Sequence, residues 1–409
     1  MGICGSKTTA SKVNEGVPPD QPSIYTNHQC VLTLEGHCSP VYSANFSPDG
    51  TKIVSTSGDK TVRVWSAATG ECVLTLEGHS HSVVSASYSP DSTKIVSASY
   101  DETVRVWSAA TGECELTIHE HRRALFSASF SPDGAKIVSA SWDKTVRVCS
   151  AATGECELTL AEHSNAVHSA SFSPDGEKIV SASDDETVRV WNAATGECML
   201  VLKEHNSAVC SASFSPDSTK IVSASYDKTV RVWSAATGEC ELALTGHSSA
   251  VNLVSFSQDG RKIVSTSSDN TVRVWNAATG DTDAVLSACQ ASFSPDGAKI
   301  ASACRDNTVR VWSTLTSKEA AKAAAPKIRF SVIELTGKEL LMTTLSALHT
   351  VDELKQEVAR ASGIKVAQLR VVLKNEALDD ENRTLGEYGV EAGSQVNAVS
   401  QSGADVEEE

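Results

Sequence analysis

Short runs of alternating apolar and polar residues recur along most of the chain at a fixed spacing of 42 residues. The first copy contains CVLTL, SPVYSANFS, KIVSTS and TVRVW, separated by SPDG and by a polar segment around Asp59. Alternation with a period of two predicts half-buried strands, and the residues between the runs predict turns. Because a unit of four short strands cannot bury its apolar face alone, we expect neighbouring copies to pack together as blades of a propeller.

A histidine and an aspartate keep the same step in six copies of the repeat. The pairs are His37 and Asp59, His79 and Asp101, His121 and Asp143, His163 and Asp185, His205 and Asp227, and His247 and Asp269. Asp306 belongs to a seventh copy, which is five residues shorter between Thr282 and Phe293 and has lost the histidine. We therefore expect the seam between blades six and seven to be the least rigid.

The repeats resemble WD repeats over about residues 29–314, since Gly36-His37, Asp59 and Trp65 stand at that family's spacing. The resemblance implies seven blades and a structural set in which the histidine bridges the aspartate, a strand serine (Ser55 or Ser57) and the tryptophan. Because six identical copies are typical of scaffold hydrogen bonds, we interpret the set as structural rather than catalytic. The departures are Ser66 and Asn192 after tryptophan, Glu120, Glu162 and Glu204 in place of glycine, and Cys149 in place of tryptophan.

The two ends of the repeat region are complementary. Residues 30–34 have no preceding blade, and the last copy ends at Trp312 without a fourth strand. We expect residues 30–34 to supply the outer strand of blade seven, because this pairing would leave no open edge in the ring.

Two positions vary from copy to copy while their surroundings repeat: the residue before each aspartate and the fifth residue after each histidine. Both should lie on the top rim around the central channel. Free drift in exposed loops would favour small polar residues, whereas aromatic residues and arginine are enriched at binding hot spots. The predicted protein-binding residues are Tyr100, Arg122, Arg123, Phe126, Trp142, His168, Asp184, Tyr226 and Arg305. Two arginines beside aromatic residues suit an acidic or phosphorylated segment, although they would also fit a solvated loop.

The last third of the chain has a different pattern. Residues 315–326 form an Ala/Lys/Glu-rich linker, and residues 327–400 predict a hairpin, a helix that opens with a capping box at Thr350, and two further strands. This β-β-α-β-β order, with LTGK at 335–338, RTL at 383–385 and Tyr388, is similar to ubiquitin. The expected fold is therefore mainly β: a seven-bladed WD-repeat β-propeller followed by a small α+β ubiquitin-like (β-grasp) domain.

The ubiquitin resemblance implies an apolar binding patch at Leu335, Val372 and Val399, although half-buried strand residues are often apolar for structural reasons. No terminal Gly-Gly follows the last strand, and residues 401–409 form an acidic tail instead. We therefore interpret this domain as a docking module and not as a conjugated tag.

Composition limits the chemistry further. A net charge of −16 argues against a general nucleic-acid surface. The 12 cysteines include no C-x-x-C pair, so neither a metal site nor a disulfide framework is predicted, and reduced thiols in the cytosol fit best. No run approaches the roughly 20 apolar residues of a membrane helix, and no signal-peptide core follows Met1. We predict no cofactor.

The flexible N-terminal tail, residues 1–28, opens with a match to M-G-x-x-x-[ST], the pattern for myristoylation of Gly2. A single myristoyl chain holds a protein at a membrane only marginally, so palmitoylation of Cys4 would supply the second signal. The alternative is a tail that begins Met-Gly by chance. This prediction places the protein in the cytoplasm in association with a membrane.

The sequence thus favours a lipid-anchored, non-catalytic adaptor with a monomeric propeller. The propeller would hold a client protein, and the ubiquitin-like domain would dock on ubiquitin-system or proteasome components. One alternative is a membrane signalling or trafficking scaffold without a role in the ubiquitin system. Another is an enzyme, which would require acid–base residues converging in the channel, where only His168 and Asp184 are candidates.

Overall fold

The computed structural model divides the chain into two compact units, Met1–Thr314 and Leu315–Glu409. The tail at 1–28, the linker at 315–326 and the acidic tail at 401–409 lie outside the residues it describes. The described residues are 30–287, 290–313, 327–334, 339–346, 355, 369–373, 376–377 and 396–400.

The first unit consists of short strands, four to a sheet. The opening strand is β1 (Cys30–Leu34). Blade one contains β2 (Val41–Phe46), β3 (Lys52–Ser57), β4 (Val62–Ser66) and β5 (Cys72–Leu76). Blade two contains β6 (Val83–Tyr88), β7 (Lys94–Ser99), β8 (Val104–Ser108) and β9 (Cys114–Ile118). Blade three contains β10 (Leu125–Phe130), β11 (Lys136–Ser141), β12 (Val146–Ser150) and β13 (Cys156–Leu160).

The remaining blades repeat the same plan. Blade four contains β14 (Val167–Phe172), β15 (Lys178–Ser183), β16 (Val188–Asn192) and β17 (Cys198–Leu202). Blade five contains β18 (Val209–Phe214), β19 (Lys220–Ser225), β20 (Val230–Ser234) and β21 (Cys240–Leu244). Blade six contains β22 (Val251–Phe256), β23 (Lys262–Ser267), β24 (Thr271–Asn276) and β25 (Thr282–Ser287). Blade seven contains β26 (Gln290–Phe293), β27 (Lys299–Ala303) and β28 (Val309–Ser313).

The ring closes as the sequence predicts. In blades one to six the sheet order follows the chain, whereas the seventh sheet has the order β1-β28-β27-β26. Strand β1 pairs antiparallel with β28, so that Leu34 lies opposite Val309 and Thr33 opposite Arg310. The prediction of a seven-bladed propeller whose first strand completes the last blade is confirmed. Closure joins the two ends of the repeat region through backbone hydrogen bonds.

Each hydrophobic core lies between two consecutive blades. The cluster of Leu34, Val41, Ile53, Trp65 and Val309, for example, joins blade seven to blade one. The second strand of each complete blade is buried at nearly every position, because neighbouring sheets cover both of its faces. Stability is therefore shared between neighbours, as in other repeat architectures.

The second unit contains a five-stranded sheet of order β30-β29-β33-β31-β32. The strands are β29 (Lys327–Glu334), β30 (Glu339–Ser346), β31 (Leu369–Leu373), β32 (Glu376–Ala377) and β33 (Val396–Ser400). Strand β29 pairs antiparallel with β30 and parallel with β33, which is the mixed pairing of a β-grasp sheet. The predicted hairpin and the two later strands are confirmed within one residue. Lys355 is helical, and the rest of the predicted helix lies outside the described residues.

One expectation about the cysteines is wrong. Cys149 and Cys156 form a disulfide between β12 and β13. In blade one the equivalent of Cys156 is Cys72, which lies opposite Trp65. Because blade three has Cys149 in place of this tryptophan, two thiols meet at the same register. A search for closely spaced cysteine motifs misses this pair, since it depends on strand register rather than on a short spacing.

Candidate functional site

The conserved polar residues of each complete blade form one hydrogen-bonded set. In blade one, His37 Nδ1 lies 2.8 Å from Asp59 Oδ2, and His37 Nε2 lies 2.8 Å from Ser55 Oγ. The indole N–H of Trp65 donates to the same Ser55 oxygen over 2.7 Å. The bridging serine is therefore Ser55, while Ser57 donates to a backbone carbonyl. The same set recurs in blades two, four, five and six.

The aspartate of the set also anchors two turns. Asp59 accepts the backbone N–H of Cys38 over 3.0 Å and both the N–H and the hydroxyl of Thr61. Burial by itself would raise the pKa of Asp59, but the hydrogen bonds from His37 and Thr61 outweigh it and hold the pKa well below its usual range. The His37 side chain is only 1% exposed. This arrangement ties loops together and offers no accessible reacting atom.

Blade seven replaces the histidine contact with an ion pair. Asp306 Oδ2 accepts a hydrogen bond from Arg310 Nη2 over 2.6 Å. In blade one the corresponding Arg63 instead lies over the Trp65 ring, 6.0 Å from its centroid. Because Asp306 is exposed, this pair contributes much less than a buried set. The seam between blades six and seven is thus less strongly bonded where the histidine is missing. That this seam is the least rigid stays a prediction.

The first group of variable residues occupies β-bulges. In blade three, Leu125 pairs with Ser141 and Ser127 with Ala140, so Phe126 is the extra residue at the shift. The same shift occurs at the start of the inner strand in the other complete blades. A bulge leaves one residue unpaired in the ladder and redirects its side chain. The inner strand of each blade contacts the inner strand of the next blade. The bulge residues of consecutive blades are therefore neighbours around the ring.

The second group of variable residues is held beside the first. The N–H of Trp142 donates to the Ala124 carbonyl over 2.9 Å, and every complete blade repeats this bond. The backbone is therefore constant while the side chains differ. Within single blades the two variable side chains contact each other, as in His168 Nε2 to Asp184 Oδ1 at 2.7 Å and Asn252 Nδ2 to Ser268 Oγ at 3.0 Å.

Four of these side chains and His81 form a continuous group of rings, which we call the aromatic rim: His81, Tyr100, Phe126, Trp142 and His168. The centroid distances are 5.8 Å between His81 and Tyr100, 5.9 Å between Tyr100 and Phe126, 6.3 Å between Phe126 and Trp142, and 4.6 Å between Phe126 and His168. Trp142 is 54% exposed and Tyr100 37% exposed. The aromatic rim spans blades two to four and includes four of the predicted protein-binding residues: Tyr100, Phe126, Trp142 and His168. Sequence reasoning did not include His81.

Positive charge borders the aromatic rim at blade three. Arg122, Arg123 and Lys144 are exposed, and we call them the basic edge. The Arg122 N–H donates to Asp143 over 3.1 Å, and Lys144 Nζ donates to the Ser164 carbonyl over 2.9 Å. Within the described part of the chain, neither arginine side chain has an ion-pair partner. The basic edge is therefore available to an anion, in a chain whose net charge is −16. Lys144 was not predicted, although it directly follows the repeated aspartate.

The two remaining predicted residues, Tyr226 and Arg305, do not belong to the aromatic rim. Tyr226 in blade five is exposed and lies beside Cys210, whose charge, together with burial, raises the pKa of Tyr226 to about 12. Burial raises the pKa of Cys210 to about 12 as well, so neither group is ionised near neutral pH. Arg305 is exposed in blade seven, and no described ring contact or hydrogen bond joins it to the aromatic rim.

In the second unit, Val372 and Val399 lie on the adjacent strands β31 and β33. Val372 is opposite Asn397, and Val399 is opposite Arg370, so the two valines are two register positions apart. Leu335 lies outside the described residues, as do Gly2 and Cys4. Among the described residues, no cluster of histidine, cysteine, aspartate and glutamate could hold a metal ion. No helix in the described ranges is long and apolar enough to cross a membrane.

Comparison with known families agrees with this architecture. Residues 40–170 and 166–292 match the model "WDR90, 4th beta-propeller", residues 278–313 match "WD domain, G-beta repeat", and residues 328–402 match the ubiquitin family. Seven sheets closed by the first strand, with a bonded histidine–serine–aspartate set in six of them, define a WD-repeat propeller. The chain belongs to the WD-repeat family and carries a ubiquitin-family domain after its propeller.

Individual relatives match over short segments. The chain is 37% identical over 60 residues to Protein Mut11 of Chlamydomonas reinhardtii, which is 15% of this chain and 16% of that protein. It is 41% identical over 63 residues to Protein HIRA of Oryza sativa subsp. japonica, covering 15% and 6% of the two chains. It is 51% identical over 41 residues to Vegetative incompatibility protein HET-E-1 of Podospora anserina, covering 10% and 3%. WD-repeat propellers generally bind protein partners and are generally non-catalytic scaffolds.

Proposed function

We propose that this protein is a non-catalytic adaptor. The propeller binds a client protein through the aromatic rim and the basic edge, and the ubiquitin-like domain docks on ubiquitin-system or proteasome components. The observation that carries the proposal is the continuous group of rings on blades two to four, bordered by arginines without ion-pair partners. Around it, the backbone hydrogen bonds repeat from one complete blade to the next, so the blades differ at this surface through their side chains.

The chemistry of this surface suits an extended acidic or phosphorylated segment of the client. Arginine binds carboxylate and phosphate groups through paired, charge-assisted hydrogen bonds. Partly exposed tryptophan and tyrosine supply contact area at little cost in conformational entropy, and they are common binding hot spots. Asp184 lies at the blade-four end of the aromatic rim, bonded to His168. Its charge would repel an acidic group there and direct the client's negative charge towards blade three.

Replacing Trp142 with alanine should weaken client binding by about tenfold or more, since Trp142 is an exposed ring of the aromatic rim and tryptophan is a typical hot spot. The measurement is binding of the purified full chain to an array of acidic and serine-phosphorylated peptides, followed by titration of the best binder. Ser268→Ala is the matched control, because it changes the same repeat position in blade six. Equal affinity for the wild type and Trp142→Ala would contradict the proposal for this surface.

Replacing Val372 with aspartate should remove ubiquitin-system partners, because the change puts a charge into the predicted apolar patch on β31. The measurement is quantitative affinity capture from native cells with the full chain and with the variant, each checked for an unchanged thermal melt. Val73→Asp is the matched control, since Val73 is an exposed valine on the outer strand of blade one. Retention of proteasome or ligase subunits by Val372→Asp would refute a role for this patch.

A second candidate is a membrane-anchored signalling or trafficking scaffold in which the ubiquitin-like domain has no ubiquitin-system role. This candidate rests on the match of the first residues to a myristoylation site at Gly2, with Cys4 as the predicted palmitoylation site. Both candidates place the protein in the cytoplasm at a membrane. The capture experiment separates them: a partner list without ubiquitin machinery, unchanged by Val372→Asp, supports the membrane scaffold.

A further inference from the structure

Blade three differs from the other complete blades at one buried position. In blade one, Trp65 donates a hydrogen bond to Ser55, contacts the His37 ring at 6.0 Å and supports the Arg63 guanidinium. Blades two, four, five and six have the same three contacts. In blade three the residue is Cys149, so all three contacts are lost. Among the described residues, the disulfide with Cys156 is the one covalent bond at this position, where the other blades have the three tryptophan contacts.

The two sulfur atoms have different access to solvent. Cys149 is 2% exposed and belongs to the core between blades two and three. Cys156 is half-buried on β13, the outer strand of its sheet. Its counterparts Cys72 and Cys114 are exposed thiols that each lie opposite a tryptophan. Blade three alone of the complete blades therefore combines an accessible thiol position with a buried partner thiol.

We propose that Cys149 and Cys156 form a reversible thiol–disulfide site that responds to low-molecular-weight disulfides such as oxidised glutathione. The Cys156 thiolate attacks one sulfur of oxidised glutathione, forms a mixed disulfide and releases one glutathione thiolate. The buried Cys149 thiol, after losing its proton to solvent, attacks the Cys156 sulfur and releases the second glutathione. Two protein thiols are oxidised and one glutathione disulfide is reduced to two thiols. In blades one, two, four and five the residue opposite the corresponding cysteine is a tryptophan, so a mixed disulfide there has no thiol at this register to resolve it.

Oxidation should affect the aromatic rim and basic edge of the same blade, and this consequence rests on the proposed function. Asp143 holds His121 Nδ1 over 2.8 Å and the Arg122 N–H over 3.1 Å, and Trp142 directly precedes it. In the reduced state, blade three has neither the tryptophan contacts to its histidine set nor a cross-link between β12 and β13. The aromatic rim and basic edge should therefore be less ordered, and peptide affinity should fall a few-fold, because ordering them on binding carries an entropy cost.

The first test requires no ligand. The purified full chain is equilibrated in glutathione buffers of increasing oxidised fraction, alkylated, and mapped by mass spectrometry. We expect a reversible Cys149–Cys156 link and a melting temperature about 2 °C or more higher in the oxidised state. Cys156→Ser and Cys149→Trp should abolish this difference, whereas Cys114→Ser, at the same register in blade two, should retain it. Alkylation of both thiols in fully oxidising buffer, or a shift that persists in Cys156→Ser, would overturn the site.

The second test separates the redox site from the proposed client surface. The affinity of the best acidic or phosphorylated array peptide is measured for the oxidised and reduced chain and for Cys156→Ser. A few-fold weaker binding on reduction, absent in Cys156→Ser, supports control of the aromatic rim. Affinity that depends on Trp142 but not on redox state overturns that control and leaves the client surface intact. Peptide binding that fails altogether counts against the proposed function alone, since the first test stands without it.

Discussion

Replacing Leu34 with aspartate should lower the free energy of unfolding by about 4 kcal/mol or more, because it combines loss of a buried leucine with burial of an unpaired charge. Leu34 is 1% exposed, and it lies opposite Val309 in the sheet that closes the ring. Its core cluster contains residues of both blade one and blade seven. Since single domains are stable by only about 5–15 kcal/mol, such a loss removes a large share of the total stability. Urea unfolding followed by tryptophan fluorescence measures it.

The matched control for this prediction is Val31→Asp on the same strand. Val31 is 43% exposed, so its substitution should change the free energy of unfolding by less than about 0.5 kcal/mol. Equal losses for the two variants would show that the charge itself, and not the buried contact, destabilises β1. A negligible loss for Leu34→Asp would show that closure by β1 contributes little to stability.

Removing the Asp185 carboxylate with alanine should cost about 3 kcal/mol, because it leaves the buried His163 and the Ser164 and Thr187 N–H groups without this partner. Asp185 Oδ2 lies 2.8 Å from His163 Nδ1 and accepts the Ser164 N–H over 3.0 Å, and Oδ1 accepts the Thr187 N–H over 3.1 Å. Asp306→Ala is the internal control, since Asp306 bonds an exposed arginine instead of a histidine and should cost no more than about 1 kcal/mol. Urea unfolding of both variants measures the difference. Equal losses would contradict a special contribution from the histidine set.

The effect of Asp185→Ala should also depend on pH. Burial alone would raise the pKa of Asp185, yet the hydrogen bonds from His163 and Thr187 hold it well below the ordinary value of 3.8. A carboxylate with a lowered pKa stabilises the folded state fully above its unfolded value and loses this contribution as the pH falls towards the folded value. The gap between wild type and Asp185→Ala should therefore be constant near neutral pH and shrink below about pH 4. A gap that grows in acid would contradict this origin.

Much of the architecture could be predicted from local sequence. The 42-residue step, the period-two alternation and the incomplete last copy together determine the strand number, the blade number and the pairing of residues 30–34 with the last blade. The prediction succeeds because each repeat packs against neighbours of the same kind, so a strand assignment that is correct for one copy is correct for all copies. The β-grasp strands were predicted for a similar reason, since strand order follows from turns and alternation.

The candidate site could be predicted only as a set of positions. The sequence marks Phe126, Trp142 and His168 as variable residues on a constant frame, but it contains no measure of their distance. A bulge at Phe126 and the step to the next blade bring its ring within 4.6 Å of His168, which is 42 residues away. The choice of Ser55 over Ser57 likewise depends on the structure, because the two serines share a face of β3 and only Ser55 lies within hydrogen-bond reach of both His37 and Trp65.

The sequence by itself determined that this protein is a closed ring of seven blades followed by a ubiquitin-like domain, because local alternation and repetition specify strands and their neighbours. Three features were decided only by the tertiary structure: the contact of five rings in one surface, the hydrogen bond from Arg310 to Asp306 in the blade without a histidine, and the disulfide between Cys149 and Cys156. These outcomes depend on contacts across strands and between blades, where a register shift of one residue changes which side chains meet.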